Sequence, residues 1–179
     1  MNTNSTKTEQ RVLLRDKRQA LNPDYARQAS SDLCEQLISL VDWESCKNMH
    51  CFLPLENDNE PDIRPVIDYA IAKGVVVYTS DPGPATGRKV KSLNDQLKQQ
   101  EIIQYQIENQ GIAFDYIIVP MLGYNPETNH RLGFGGGFYD RLLATQQTAK
   151  SIGVVFKEFE VLDLVPESHD IALSKILIA

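Results

Sequence analysis

Residues Arg131-Leu132-Gly133-Phe134-Gly135-Gly136-Gly137-Phe138-Tyr139-Asp140-Arg141 hold the chemistry of this sequence. Four glycines fall within five positions, 133 to 137. Such a run loses backbone entropy on folding, and chains keep it where φ must be positive or a ligand must approach the main chain. Consecutive N–H groups converging ahead of a helix N-terminus form an anion nest, and the helix dipole reinforces it. The expected chemistry is phosphate binding, with Arg131 before the run and Arg141 after it placed for charge-assisted bonds to phosphate oxygens. A plain surface turn is the competing reading of any glycine run. The adjoining aromatic pair, the two arginines and Asp140 weigh against it.

Two familiar phosphate loops do not fit. A P-loop ends in Gly-Lys-Ser/Thr, and here Gly137 is followed by Phe138. A dinucleotide fingerprint counted from Gly133 and Gly135 would put its third glycine on Phe138, and the run lies late in the chain. Near the start, Lys7, Arg11, Arg15 and Arg18 recur at steps of four, four and three, a spacing that predicts one helical face. The stripe is either a solvated charged surface or a wall facing an anion.

The elements that must position these residues follow from pattern. Thr6–Leu21 reads as a helix, and Asn22-Pro23-Asp24 breaks it and caps a second helix to about Leu40. Asn48–Leu53 predicts a short strand, Ile63–Lys73 a helix stopped by Gly74, and Val75–Thr79 a buried strand. Asp81-Pro82-Gly83-Pro84 is a turn cluster, Lys89–Gln100 has no apolar face, and Glu101–Ile107 reads as an edge strand. Asp115–Leu122 is the clearest strand, followed by a helix over Phe138–Gln147 and strands over Ser151–Phe156 and Lys175–Ile178. Apolar strands alternating with helices predict a three-layer α/β/α sandwich with a mostly parallel sheet, one domain over residues 1–179.

Composition narrows the function. The 179 residues carry a net charge of −6, which argues against a nucleic-acid binder, whose affinity rests on a basic surplus. The longest apolar run, Tyr116–Leu122, is far short of a membrane span, and the polar first ten residues have no signal-peptide core, so a soluble cytoplasmic protein is expected. Cys34, Cys46 and Cys51 with His50, His130 and His169 lack the spacing of a zinc site, and ordinary thiols in a reducing compartment are expected.

The 131–141 sequence, following an apolar strand, resembles the signature of the 5-formyltetrahydrofolate cyclo-ligases, also called methenyltetrahydrofolate synthetases. Lys7-x-x-x-Arg11 is similar to that family's nucleotide-contacting pair, and Phe52-Leu53-Pro54 followed by Glu60 resembles its folate-contacting strand end and acid, with a short insertion between them. Asp115–Pro120 is similar to the strand feeding the loop, and Gly153-Val154-Val155-Phe156-Lys157 and Val165-Pro166 through Asp170 to the C-terminal blocks. The likeness runs from about Lys7 to Leu177.

The resemblance implies ATP- and Mg²⁺-dependent closure of 5-formyltetrahydrofolate to 5,10-methenyltetrahydrofolate, with release of ADP and phosphate. The formyl oxygen takes the γ-phosphoryl group, N10 attacks the formyl carbon, and phosphate leaves as the ring closes. No covalent enzyme intermediate is needed, so the protein positions the reactants and stabilises charge.

Carried onto this chain, the resemblance implies Arg131, Tyr139 and Asp140 as catalytic residues. ATP would be held by Lys7, Arg11, Arg131, Leu132, Gly133, Phe134, Gly135, Gly136, Gly137, Phe138 and Tyr139. The folate would be held by Leu53, Glu60, Phe134, Gly135, Gly136, Gly137 and Phe138. Asp140 would hold Mg²⁺, its other reading being a first-turn acid favoured by the helix dipole. Glu60 would accept from the pterin's N–H and amino donors, with Asp58 the neighbouring alternative and a solvated acidic loop the bland one. Phe134, Phe138 and Tyr139 either line the substrate rings or pack into the core.

Two features depart from the family pattern. Ser174 stands where relatives carry a second metal-binding Asp, and the segment Asp81–Gly111 is short and lacks an expected Gly-Ile-x-Glu-Pro type motif. They point to one alternative, a non-catalytic folate- or nucleotide-binding member of the same fold. A nucleotide-dependent enzyme on another small acid is a second. The expected partners are the folate and ATP alone, with no nucleic acid and no membrane, on a monomer or weak homo-oligomer.

Overall fold

Thr6 and Glu9 cap the first helix reciprocally: the Thr6 hydroxyl accepts from the Glu9 amide at 3.3 Å and the Glu9 carboxylate from the Thr6 amide at 2.8 Å. Two of the amides that a helix start leaves open are thereby satisfied. The computed structural model describes residues 5–55, 58–80, 87–90 and 112–179. Helix α1 (Lys7–Gln19) is followed by α2 (Pro23–Leu40), whose cap Asn22 accepts from the amides of Asp24 and Tyr25 and whose first residue is the expected proline. Helix α3 (Arg64–Ala72) stops ahead of Gly74, at φ +81°, and α4 (Phe138–Thr145) follows the glycine run.

Among the described residues, strands β1 (Asn48–His50), β2 (Val76–Ser80), β3 (Gly87–Val90), β4 (Tyr116–Pro120), β7 (Lys150–Val155) and β8 (Lys175–Ile178) form a six-stranded sheet in the order β3-β2-β1-β4-β7-β8. All neighbours pair in parallel except β2 with β3. A separate hairpin pairs β5 (Gly123–Tyr124) with β6 (Arg131–Leu132). In β1 and β4, successive residues such as Met49 and His50, or Ile117 and Ile118, are all fully buried. Side chains alternate across a strand, so both faces of the sheet are covered, as three α/β/α layers require. On one side α2 packs against α3 and β8, and α3 against β2. Phe138 and Tyr139 of α4 set their rings 6.1 and 5.8 Å from that of His50 on β1. Among the described residues, no helix is long and apolar enough to cross a membrane.

The chain runs outward from β1 to β2 on one side and returns to β4 on the other. That reversal leaves a crevice at the carboxyl ends of β1 and β4, the usual ligand position in an open parallel sheet.

Some boundaries differ from those expected. The predicted strand Asn48–Leu53 is cut to three residues, because beyond the bond from the Cys51 amide to the Tyr78 carbonyl (2.8 Å) the chain turns to Pro54, which has no N–H to donate. The strand predicted over Asp115–Leu122 ends at Pro120 and gives way to the hairpin, which pattern reading missed. A short 3₁₀ turn, Lys157–Phe159, was also unforeseen. The edge strand expected at Glu101–Ile107, the Asp81-Pro82-Gly83-Pro84 turn and most of Lys89–Gln100 lie outside the described residues.

Gly153, mid-strand in β7, marks a close approach. A Cβ there would come within 2.1 Å of Met121 Cε and 2.7 Å of Leu173 Cδ1, both on buried side chains. Gly153→Val is therefore expected to destabilise the fold by ~1–3 kcal/mol through overpacking, read as a lower urea midpoint.

Candidate active site

The crevice opens into a cavity of about 450 Å³. Phe52 and Leu53 enter it from the end of β1, Pro120 from the end of β4, and Arg131 and Leu132 from the hairpin. The hairpin turn is built by Asn125, whose side chain accepts from the amides of Glu127 (2.9 Å) and Thr128 (3.2 Å), while Asn129 takes a positive φ of 55°. This turn delivers Arg131 to the cavity.

The glycine run forms one wall. Gly135 (φ +99°) and Gly137 (φ +63°) adopt backbone that side chains disfavour. Gly137 precedes α4 without any side-chain cap. Arg11 Nε donates to the Gly133 carbonyl at 2.9 Å, and Arg141 Nη1 to the Gly136 carbonyl at 3.0 Å. A trans peptide sets C=O and N–H on opposite sides, so the amides of Phe134 and Gly137 point away from those arginines. Among the described residues, no amide from Gly133 to Gly137 finds an acceptor. The arrangement offers N–H groups without acceptors among the described residues, ahead of a helix start, which suits an anion.

Arg131 and Asp140 form a nearly buried ion pair at 2.7 Å, with side chains 5% and 19% exposed. Arg131 also donates to the Ile171 carbonyl (2.9 Å), and Asp140 Oδ1 accepts from the Ile171 amide (3.1 Å). Asp140 Oδ2 has no partner among the described residues, which contain no group of three or more His, Cys, Asp or Glu side chains able to hold a metal.

Lys7 donates to Asp170 at 2.5 Å and pairs with Glu167 at 2.9 Å. Burial alone would pull Lys7 below its ordinary value, but these two carboxylates outweigh it and hold the amine above that value. Burial likewise pushes Asp170 up, and the bonds from Lys7 and the Glu167 amide more than reverse it. Glu60, 8% exposed, keeps Oε2 on the Leu55 amide at 2.8 Å; burial raises its pKa, while that amide and Arg18 oppose the rise.

All residues expected to hold nucleotide, folate or metal line this one cavity: Lys7, Arg11, Leu53, Glu60 and the whole stretch from Arg131 to Asp140. Asp58, the alternative to Glu60, turns instead to Arg18. Of the four-residue stripe, Lys7 and Arg11 reach the cavity, Arg18 is buried beneath it, and Arg15 is exposed. At ~100° per residue Arg15 lands about 80° round the helix from Lys7, whereas Arg18 returns to about 20°. Sequence reasoning did not single out Leu55, Pro120, Glu167, His169 and Asp170 as lining residues. The charges in Glu167-x-His169-Asp170 are visible in the sequence, but their pairing with Lys7 across 163 residues is not.

A model of the 5-formyltetrahydrofolate cyclo-ligase family matches residues 3–179. The chain belongs to that family. The 5-formyltetrahydrofolate cyclo-ligase of Haemophilus influenzae is 26% identical over 188 residues, covering 98% of this chain and 99% of its own. That of Escherichia coli K12 is 24% identical, covering 92% and 96%. A shorter match, 32% identical over 87 residues, covers 48% of this chain and 52% of the Mycoplasma genitalium cyclo-ligase. The fold matches that of a Mycoplasma pneumoniae 5,10-methenyltetrahydrofolate synthetase with a TM-score of 0.76 at 19% identity, over 96% of this chain and 98% of the other.

Within this cyclo-ligase family member, Ser174 lies outside the cavity lining. Its hydroxyl accepts from the Ser151 amide at 3.2 Å and its own amide donates to Ser151 Oγ at 2.9 Å, fastening the start of β8 to β7. The position serves the sheet in this chain.

His50, packed among Phe114, Phe138 and Tyr139, supports the aromatic floor under the glycine run. Burial pulls its pKa down to about 3. An unfolded histidine takes a proton below ~6.5, so between the two values the unfolded state binds more protons and stability falls as pH drops, by ~1.4 kcal/mol per unit. Urea unfolding between about pH 6.5 and 5 is expected to show that slope in the native chain and to lose most of it in His50→Phe.

Proposed function

We propose that this protein is an ATP- and Mg²⁺-dependent 5-formyltetrahydrofolate cyclo-ligase, converting 5-formyltetrahydrofolate to 5,10-methenyltetrahydrofolate with release of ADP and phosphate. The observation that carries the reading is the set of amides between Gly133 and Gly137 that find no acceptor among the described residues, in a cavity at the sheet's reversal point that Arg11, Arg131 and Arg141 also line. In this reading those amides, with Lys7 and Arg11, grip the triphosphate, and Arg131 offsets its charge. Leu53, Phe134 and Phe138 flank the pterin and p-aminobenzoyl rings, and the Oε1 atom of Glu60 accepts from the pterin's donors. Tyr139 closes the site beside the reacting formyl group. The protein's contribution is to hold the formyl oxygen in line with the γ-phosphoryl group and N10 against the formyl carbon.

Mg²⁺ favours oxygen ligands, takes few carboxylates and completes its shell with phosphate oxygens and water. A single carboxylate oxygen without a partner among the described residues, Oδ2 of Asp140, suits that demand. When bound, the ion would neutralise charge on the triphosphate. The reading places both substrates on one domain, residues 1–179, acting in the cytoplasm as a monomer or weak homo-oligomer without nucleic acid or membrane.

The test is to mix the protein with 5-formyltetrahydrofolate, ATP and Mg²⁺ and follow the absorbance of the methenyl product. Product that requires ATP supports the proposal. Ser174 in place of a second metal carboxylate favours the non-catalytic alternative, and tight folate binding with no product would decide for it.

A further inference from the structure

Arg18 lies under the cavity without lining it, its side chain 2% exposed. Its guanidinium joins three separate segments. Nη2 bonds Asp58 and stands 3.7 Å from Oε1 of Glu60, Nη1 donates to the Met121 carbonyl at 3.3 Å, and Cζ sits 5.2 Å from the centre of the Phe134 ring. Its buried Nε has no partner among the described residues, so the group is held where the carboxylates and the ring place it, at the expense of one N–H. Glu60 and Phe134 both line the cavity.

The distances are unequal in a useful way. Asp58 takes the direct bond, whereas 3.7 Å to Glu60 is charge attraction without a hydrogen bond. Glu60 Oε2 is occupied by the Leu55 amide, so Oε1 keeps its acceptor capacity while a cation stands behind it. We infer that Arg18 is a positioning residue for the folate site, fixing Glu60 with one oxygen open to the ligand and tying it to the glycine run through Phe134. Asp58 is part of the device, because it stops Arg18 from taking Oε1 for itself. A lysine cannot replace the guanidinium, since a point charge lacks the planar fork and the stacking face. The inference rests on the reading of Glu60 as the folate-binding carboxylate.

Steady-state kinetics of Glu60→Gln, Arg18→Lys and Asp58→Asn, singly and combined, test it. Glu60→Gln is expected to raise KM for 5-formyltetrahydrofolate by about tenfold or more, as loss of a charged acceptor does. Arg18→Lys should raise the same KM by about tenfold, with kcat and the KM for ATP moving less than about threefold. Asp58→Asn keeps Arg18 but frees it to bond Oε1, and should raise the folate KM by about threefold. In the Glu60→Gln background neither change should add a further loss, because both act through Glu60. Additive losses, or a folded Arg18→Lys protein with the native folate KM, would overturn the inference. Should Arg18→Lys fail to fold, Asp58→Asn with and without Glu60→Gln decides the same point. A native folate KM in Glu60→Gln would instead remove the reading of Glu60 on which the inference stands.

Discussion

Asp140→Asn is expected to lower kcat by ~10²–10³, the usual cost of losing one charge contact to a transferring phosphoryl group. The amide is isosteric with the carboxylate and still accepts the Ile171 amide that Oδ1 now holds at 3.1 Å, so secondary structure is expected to survive. What disappears is the negative charge, and with it both the ion pair to Arg131 and the carboxylate oxygen that the proposed function assigns to Mg²⁺. Product absorbance at saturating ATP and folate measures the loss, and circular dichroism checks the fold. A near-native rate would remove Asp140 from the reaction.

Arg131→Ala is expected to act on stability as well as on nucleotide binding. The side chain is 5% exposed and joins the hairpin to Asp140 on α4 and to the Ile171 carbonyl. Truncation leaves Asp140 largely buried without its cation, a change that costs ~3–5 kcal/mol where such pairs are dry. The family resemblance implies Arg131 as a contact to the triphosphate, a role whose loss would mainly weaken ATP binding. The structure adds that the same side chain holds the glycine wall to the C-terminal loop. A clear fall in the urea midpoint together with weaker ATP binding is therefore expected, and Arg131→Met combined with Asp140→Asn should recover part of the midpoint, because neither partner is then left charged and alone. An unchanged midpoint in Arg131→Ala would separate this residue from the scaffold.

How far residues could be read ahead of the structure depended on how local their reasons are. The Asn22-Pro23 start of α2 and the Gly74 stop of α3 follow from single-turn chemistry, and both stand as read. The β4 core strand is legible because a strand buried on both faces carries Ile117, Ile118 and Val119 in unbroken succession. The gathering of Arg131 to Asp140 in one wall was legible for the same reason, since those residues are consecutive.

The rest depends on distant partners. The β5–β6 hairpin has strands of two residues, too short for any periodicity, and its one local sign is the Asn125 and Asn129 turn chemistry. Arg15 and Arg18 are alike in sequence, yet one faces solvent and the other lies under the cavity, because only Arg18 comes round the helix to meet Asp58 and Glu60.

The Lys7–Asp170 bridge spans 163 residues of chain. Closing so long a loop costs entropy before any contact returns it, and contacts of that separation form late in folding. During synthesis, a nascent chain can complete its sheet as far as β7 and still lack the clasp that draws α1 over the crevice. The Lys7 side of the cavity is therefore completed only when the segment around Asp170 docks against the first helix, whatever the rest of the sheet has already gained.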